Sequence, residues 1–117
     1  PSLSLDKARD IGLNVDAAVE YSCGEEELYL DLLSDYANGC EDKCKELNSY
    51  LEKEDMKNYS ILIHSLKSSS KMIGADMVSA LAKDLEDASK KDDLDFVQIN
   101  HDNFIESFKA LAAKISG

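Results

Sequence analysis

Residues 63–75, with the sequence IHSLKSSSKMIGA, contain His64, one of only two histidines in the chain. They belong to a run of 20 residues without Asp or Glu, although the 117-residue chain has 24 acidic residues. On a helical wheel of about 100° per residue, Leu62, Leu66 and Ile73 lie opposite His64. The spacing predicts a helix whose apolar side packs on a core and whose histidine faces solvent.

Short and cationic side chains surround His64 on the predicted helix. The residues within about 60° of it on the wheel are Lys57, Ser60, Lys67, Ser68 and Lys71, with Ile61 and Met72 as apolar flanks. An exposed neutral imidazole is a nucleophile that titrates near physiological pH, and neighbouring ammonium groups can stabilise phosphoryl oxygens. An acid-free surface would also attract an acidic partner that the rest of the chain repels. Periodicity and charge leave two interpretations open: a phosphate-accepting histidine, or a solvated polar face with an incidental one.

The rest of the chain indicates an all-α fold, since strand-like alternation is missing. Apolar residues with helical spacing form four patterns, at residues 28–51, 59–73, 77–88 and 97–115. Four amphipathic helices joined by short turns predict an antiparallel up-and-down four-helix bundle over residues 22–117. Residues 1–21 are predicted to form a short N-terminal helical cap of one or two helices. No long linker divides the sequence, so we expect a single domain over residues 1–117.

Polar residues and glycines predict where these helices begin and end. Ser22 and Glu25 have the spacing of a capping box before the first helix, and Asp55 is a candidate N-cap of the second. Gly74 has the character of a C′ residue that ends the second helix. Gly39 is a candidate break in the first helix, although the apolar pattern continues in phase across it.

Composition argues against several classes of function. A net charge of −11 disfavours nucleic acid and anionic membranes as partners, and no apolar run is long enough to span a bilayer. Three cysteines, Cys23, Cys40 and Cys44, cannot all pair, which fits a reducing cytoplasm. Cys40 and Cys44 share a face with core positions, so we expect buried apolar residues there rather than metal ligands. His101 falls within the fourth apolar pattern and is predicted to be a structural histidine. We expect the protein to be a monomer.

The segment from His64 to Ala75 resembles the signature of histidine-containing phosphotransfer (HPt) domains. That signature is roughly His-x-Leu-Lys-Gly, five variable residues and Gly-Ala. The chain has His64-Ser-Leu66-Lys67-Ser68 followed, after five residues, by Gly74-Ala75. Residues 81–88 resemble the family's next helix and residues 24–28 the start of its first long helix, so the resemblance covers most of the chain. Ser68 stands where the family usually has glycine.

The resemblance implies a phosphorelay intermediate. In the family, Nε2 of the histidine that matches His64 accepts a phosphoryl group from a receiver aspartate or a kinase and passes it to another receiver aspartate. Mg²⁺ and most transition-state groups belong to the receiver, so we expect no cofactor, no complete active site and no kinase activity in this chain. Presenting an aligned nucleophile can suffice for phosphoryl transfer. The alternative is a docking module for receivers or kinases that is not phosphorylated; the presence of both His64 and Lys67 disfavours it.

Particular roles are expected for the residues around His64. Lys67 is expected to stabilise the bound phosphoryl group. Glu86 is as far from a tight turn at residue 75 as His64 is, about 16 Å along its helix, so it can accept the Nδ1 proton. Lys83, one turn before Glu86, is expected on the phosphate-facing side. The expected partner surface comprises Lys57, Ser60, Ile61, Ser68, Lys71, Met72 and Lys83. By analogy, the start at Pro1 and the short N-terminal helices suggest the cytoplasmic module of a hybrid sensor kinase.

Overall fold

Short turns connect the helices of the computed structural model, which describes residues 3–117. The helices are α1 (Leu5–Asp10), α2 (Val15–Tyr21), α3 (Glu26–Asn38), α4 (Cys40–Glu52), α5 (Met56–Met72), α6 (Asp76–Lys90) and α7 (Leu94–Ser116). No strand occurs in residues 3–117, and the all-α prediction is confirmed. α1 and α2 are the short helices expected before the bundle. None of these helices combines the length and the apolar character that crossing a lipid bilayer requires.

The longer helices pack side by side around one apolar core. α5 packs against α6, α6 against α7, α7 against α3 and α4, and α4 against α5. This closed order fits the predicted four-helix bundle, in which α3 and α4 together take the place of the first helix. α1 and α2 add Ala8, Val15 and Ala18 to the same core.

The three turns between the bundle helices share one backbone geometry. Each turn has a residue with positive φ after the helix end, namely Glu54 (55°), Gly74 (84°) and Asp92 (55°). The N–H of the next residue donates to a carbonyl five residues earlier, from Asp55 to Tyr50, from Ala75 to Ser70 and from Asp93 to Ala88. These are the bonds of a Schellman motif, which satisfies the last carbonyls of a helix while the chain changes direction.

The buried faces of α3 and α5 differ in part from the predicted patterns. In α3, Leu28 is 42% exposed, whereas Tyr29 and Leu33 are fully buried. The rows that begin at Leu28 and at Tyr29 both have helical spacing, so the pattern alone does not choose between them. The hydroxyl of Tyr29 donates to the carbonyl oxygen of Ile73 at 2.8 Å, and this contact between α3 and the end of α5 explains the choice. In α5, Ile63 is fully buried beside His64, because α5 packs against both α4 and α6 and its buried face is wide.

Two of the predicted features of the helix ends agree with the structure. Asp55 accepts the N–H of Asn58 at 3.1 Å, which confirms it as the N-cap of α5. Gly39 separates α3 from α4, as the sequence suggested. Its backbone is nevertheless right-handed, and its N–H donates to the carbonyl of Asp35 four residues earlier, as in a helix. The apolar pattern therefore stays in phase across the break.

The predicted capping box before α3 is wrong. The N-cap of α3 is Glu25, whose side chain makes no capping hydrogen bond. Ser22 instead follows the last residue of α2, and its hydroxyl is buried without a partner. Cys23 and Gly24 both have positive φ, so the chain turns between Ser22 and α3 and the serine hydroxyl does not reach the start of the helix.

Gly74 is fixed by its backbone conformation and by a close neighbour. Its φ of 84° is unfavourable for a residue with a side chain. In addition, a Cβ at this position would lie 2.5 Å from the carbonyl oxygen of Asn14. The N–H of Asn14 donates to the Gly74 carbonyl at 2.9 Å, and its side-chain amide donates to Asp76 at 3.3 Å. The segment between α1 and α2 is thus attached directly to the turn between α5 and α6.

We expect Gly74→Ala to lower the free energy of unfolding by roughly 2–5 kcal/mol, because a left-handed conformation and a steric clash add together. Gly12→Ala is the matched control. Gly12 has a φ of 95°, but no atom lies within 4 Å of the place where a Cβ would project, so only the conformational cost of about 1–2 kcal/mol applies. Urea unfolding followed by circular dichroism measures both values. Equal losses in the two variants would contradict the importance of the Asn14 contact.

Candidate functional site

His64 lies near the middle of α5 with its ring exposed to solvent. Its side chain is 57% exposed, whereas Ile63 and Leu66 on the same helix are buried. The helix thus packs into the bundle with its apolar side and presents the imidazole at the surface, beside α6. The predicted exposure of this ring agrees with the structure.

A buried carboxylate from α6 contacts the ring from behind. Glu86 is only 2% exposed, and its Oε2 lies 2.6 Å from Nδ1 of His64. α5 and α6 run antiparallel from the Gly74 turn, and a second contact, from the Ser79 hydroxyl to the carbonyl of Lys67 at 3.0 Å, fixes their register. The geometry that the sequence predicted for His64 and Glu86 is therefore present. The role of Glu86 in orienting the ring stays a prediction.

Two lysines also contact this carboxylate. Nζ of Lys67, one turn after His64 on α5, lies 2.7 Å from Oε1 of Glu86. Nζ of Lys90, one turn after Glu86 on α6, lies 2.7 Å from Oε2. Burial by itself raises the pKa of Glu86, but the hydrogen bonds from Lys67, Lys90 and His64 outweigh it and lower the pKa to about 2. The carboxylate is thus ionised at neutral pH.

The charge on Glu86 determines which ring nitrogen of His64 is free. An ionised carboxylate only accepts hydrogen bonds, so Nδ1 must carry a proton and donate it to Oε2. In the neutral ring, Nε2 then has no proton and keeps its lone pair. The contact with Glu86 therefore favours the tautomer of His64 in which Nε2 can act as a nucleophile.

Two other predicted lysines, Lys71 and Lys83, are paired with carboxylates of α6. Lys71 lies 3.3 Å from Asp76, and Lys83 lies 3.1 Å from Asp87. The surroundings of His64 are acid-free in the sequence of α5, but in the folded chain α6 brings carboxylates to three of the lysines. The expectation of an acid-free surface around His64 is wrong, because it considered only one of the two helices that form this face.

The predicted partner residues fall into two groups. A shallow groove between α5 and α6 is lined by Lys67, Ser68, Lys71, Met72 and Lys83, together with Tyr21, Asp76, Ser79 and Ala80. Ser68 is exposed in this groove, one turn from His64. The remaining residues, Lys57, Ser60 and Ile61, lie nearer the start of α5 and do not line it. Ile61 is exposed, and the Ser60 hydroxyl donates to the carbonyl of Lys57.

Two residues of the site, Lys90 and Tyr21, were not among those predicted from the sequence. Lys90 follows Glu86 by four residues, a spacing at which oppositely charged side chains meet on a helix, so the pairing could have been found. Tyr21 comes from α2 and is largely exposed beside the groove. No local signal indicates that α2 ends next to α5, because this depends on how Asn14 attaches to the Gly74 turn.

The second histidine has the surroundings of a structural residue, as predicted. His101 is buried, and its Nε2 donates to Oδ1 of Asn48 at 2.6 Å. Its Nδ1 accepts the hydroxyl proton of Tyr59 at 2.8 Å, and burial lowers the pKa of the ring. Both ring nitrogens are therefore engaged inside the bundle.

The cysteines and the acidic residues do not form a metal-binding cluster in residues 3–117. Cys40 and Cys44 are buried, as predicted, with 3.9 Å between their sulfur atoms. Burial raises the pKa of both thiols, that of Cys40 to about 12. Protonated thiols in an apolar setting are poor ligands and poor nucleophiles.

Comparison with known proteins gives matches to one family. The family model described as Hpt domain matches residues 31–115. The phosphorelay intermediate protein rdeA of Dictyostelium discoideum is 32% identical over 80 residues, which is 68% of this chain and 32% of that protein. The chain thus spans about a third of the length of this curated relative. No solved structure matches the chain significantly.

Glu86 is predicted to make stability dependent on pH. Its pKa is about 2 in the folded chain against an ordinary value of 4.5. A carboxyl group with a lowered folded-state pKa contributes stability that is complete above the ordinary value and is lost as the pH falls toward the folded value. The wild type should therefore exceed Glu86→Gln in free energy of unfolding by on the order of 1–3 kcal/mol near pH 6, and by clearly less near pH 3. Urea unfolding at both pH values measures the difference, and a constant difference would contradict the assignment.

Proposed function

This chain belongs to the Hpt domain family, and on that premise we propose that it is a phosphorelay intermediate whose phosphoacceptor is Nε2 of His64. The observation that carries the proposal is the contact of 2.6 Å between Nδ1 of the exposed ring and the buried, ionised Glu86. A carboxylate withdrawn from water beside a solvent-exposed imidazole is costly to the fold unless it is well paired. The burial of Glu86 is explained if the carboxylate keeps Nε2 of His64 free for reaction.

The chemical step follows from the tautomer. The lone pair of Nε2 attacks the phosphorus of an aspartyl phosphate on a receiver domain, and a nitrogen–phosphorus bond forms. The bond between phosphorus and the aspartate oxygen breaks, and the carboxylate leaves with the electron pair. No proton has to leave Nε2, so the phosphorylated ring keeps its Nδ1 proton and gains a positive charge. Glu86, in contact with Nδ1, stabilises that charge as it develops. The reverse step passes the phosphoryl group to a second receiver aspartate.

Lys67 is proposed to stabilise the phosphoryl group on His64. The two residues are three positions apart on α5 and therefore lie on neighbouring parts of the helix surface. A phosphoryl group brings about two negative charges to the ring, which an ammonium group can balance through short charge-assisted hydrogen bonds. Because Lys67 also contacts Oε1 of Glu86, it is held beside the reacting ring before transfer occurs.

Receiver domains, with a sensor kinase upstream, are the proposed partners. We propose that they dock on the groove between α5 and α6 and on the exposed start of α5. The residues proposed for this contact are Lys57, Ser60, Ile61, Ser68, Lys71, Met72 and Lys83. The mixture of exposed apolar side chains and charged groups at this surface is typical of interfaces that form and separate repeatedly. The Mg²⁺ that phosphoryl transfer requires is proposed to belong to the receiver, where the aspartate is the leaving group.

A cytoplasmic location and a monomeric state complete the proposal. The three cysteines, Cys23, Cys40 and Cys44, are free thiols, which is typical of proteins in reducing compartments. A monomer is proposed because one domain presents one complete set of His64, Lys67 and Glu86. Nothing in this arrangement requires a second copy of the chain.

The phosphoacceptor is tested by labelling. We expect the chain to take up label from a receiver domain phosphorylated with ³²P, in a form that is labile in acid and stable in alkali, as expected of phosphohistidine. His64→Gln should remove all of the label, since the buried His101 cannot meet a partner. His101 is unchanged in this variant and serves as an internal control. Label that persists in His64→Gln would move the site elsewhere, and a wild type that binds receivers without taking up label would indicate a docking module.

The partner surface is tested by adding bulk next to the ring. Ser68→Tyr should slow transfer from a phosphorylated receiver at least about tenfold, because even a displacement of about 1 Å strongly slows a reaction between two aligned groups. Uptake from potassium phosphoramidate, a small phosphodonor, should change much less. Asn103→Tyr, the same kind of change at an exposed position of α7, is the control and should leave both rates unchanged. Equal rates from the receiver in wild type and Ser68→Tyr would exclude Ser68 from the interface.

A further inference from the structure

The Glu86 carboxylate has more cationic partners than the orientation of one imidazole requires. The charged groups that face it are His64 and Lys67 on α5 and Lys90 on its own helix. The contacts are divided between its oxygens: Lys67 is on Oε1, whereas His64 and Lys90 share Oε2. Lys90 lies at the last position of α6 and its side chain is 59% exposed, so only its ammonium end reaches into the site.

Lys90 differs from the other lysines that pair with an acid four residues away. Lys45 with Glu41 and Lys83 with Asp87 are pairs in which both side chains are exposed, and such pairs contribute little to stability. In the pair of Lys90 with Glu86, the carboxylate is 2% exposed and cannot be hydrated if its partner leaves. Loss of a partner from a buried charge is far more costly than loss from a surface pair.

The charges in the site change when His64 is phosphorylated. Before transfer, Glu86 is balanced by Lys67 and Lys90. The proposed function requires Lys67 to turn toward the phosphoryl group, which leaves Oε1 without its ammonium partner. The positive charge gained by the ring helps to hold Glu86, but the ring itself now lies beside about two negative charges. Of the two lysines that contact the carboxylate before transfer, Lys90 is then the one that remains.

We infer that Lys90 is a positioning residue that keeps the Glu86 carboxylate ionised and in contact with Nδ1 of His64 while Lys67 leaves for the phosphoryl group. In the part that concerns transfer, this inference rests on the proposed function. In the part that concerns the resting site, it rests only on the three contacts of Glu86. The two parts require separate measurements.

The resting site is tested by nuclear magnetic resonance, without any phosphodonor. The carboxyl carbon of Glu86 is followed through an acid titration, and the imidazole nitrogen shifts of His64 report its tautomer. Lys90→Met keeps the apolar stem and removes the charge, so it should raise the pKa of Glu86 by about one unit or more. It should also reduce the population in which Nδ1 carries the proton. Lys90→Arg should restore both, and Lys45→Met, which removes a lysine from an exposed pair, should change neither.

The transfer is tested by uptake from potassium phosphoramidate at neutral pH. Lys90→Met should be labelled several-fold more slowly than wild type, and Lys90→Arg at nearly the wild-type rate. A double-mutant cycle then separates the proposed role from a general effect on structure. In a Lys67→Met background, Lys90 is the only lysine on Glu86 both before and during transfer. Lys90→Met then affects both states alike, so the further loss of labelling rate should be much smaller than in the wild type.

The outcomes distinguish the inference from the function on which it depends. Wild-type labelling combined with equal rates in Lys90→Met, or with independent and additive effects of Lys67 and Lys90, would overturn the role in transfer. An unchanged Glu86 titration and an unchanged tautomer in Lys90→Met would overturn the role in the resting site. If the wild type takes up no label, the proposed function has failed, and the titration still decides whether Lys90 positions Glu86.

Discussion

The site depends on one carboxylate that is buried at the contact between two helices. Removing a carboxylate from water costs several kcal/mol, and only close pairing offsets this cost. Glu86 meets the condition with three donors within 2.7 Å, two from side chains of α5 and one from α6. Because the donors come from both helices, the need to pair Glu86 restricts how α5 and α6 can slide against each other. The same contact favours one tautomer of His64, and the pairing holds Lys67 next to the ring.

The turn at Gly74 makes this pairing geometrically possible. Its left-handed backbone lets α5 end and α6 begin within three residues, so that positions at similar distances from the turn face each other. His64 and Glu86 are such a pair, and nearer the turn the hydroxyl of Ser79 donates to the backbone carbonyl of Lys67 on α5. The Asn14 backbone occupies the space where a side chain at position 74 would project. A single glycine therefore connects the N-terminal helices to the geometry of the histidine site, although it lies ten residues from His64.

The sequence predicted the features that depend on neighbouring residues. The exposure of His64, the cap at Asp55 and the end of α5 at Gly74 follow from helical spacing and from the chemistry of single residues. The approach of Glu86 to His64 was also predictable, since it needs only a tight turn and two straight helices. Where helical spacing allowed two rows of residues to be the buried face, a tertiary contact determined which row is buried. Tyr29 rather than Leu28 is buried because its hydroxyl reaches the carbonyl of Ile73, which is distant in the sequence.

Other features could not be predicted because they depend on the packing of several elements. The absence of acids from α5 suggested a positive surface, but α6 brings Asp76, Glu86 and Asp87 to the same side. The position of Tyr21 depends on the attachment of the N-terminal helices.

The exposed pairs of Lys71 and Lys83 cost little to break, so a docking partner can take these lysines at a small loss of stability. Lys67 is paired with a buried acid and is expensive to remove, unless an equally strong anion appears beside it. The surface pairs therefore suit the proposed docking, and the buried pair suits the proposed response to a phosphoryl group on His64.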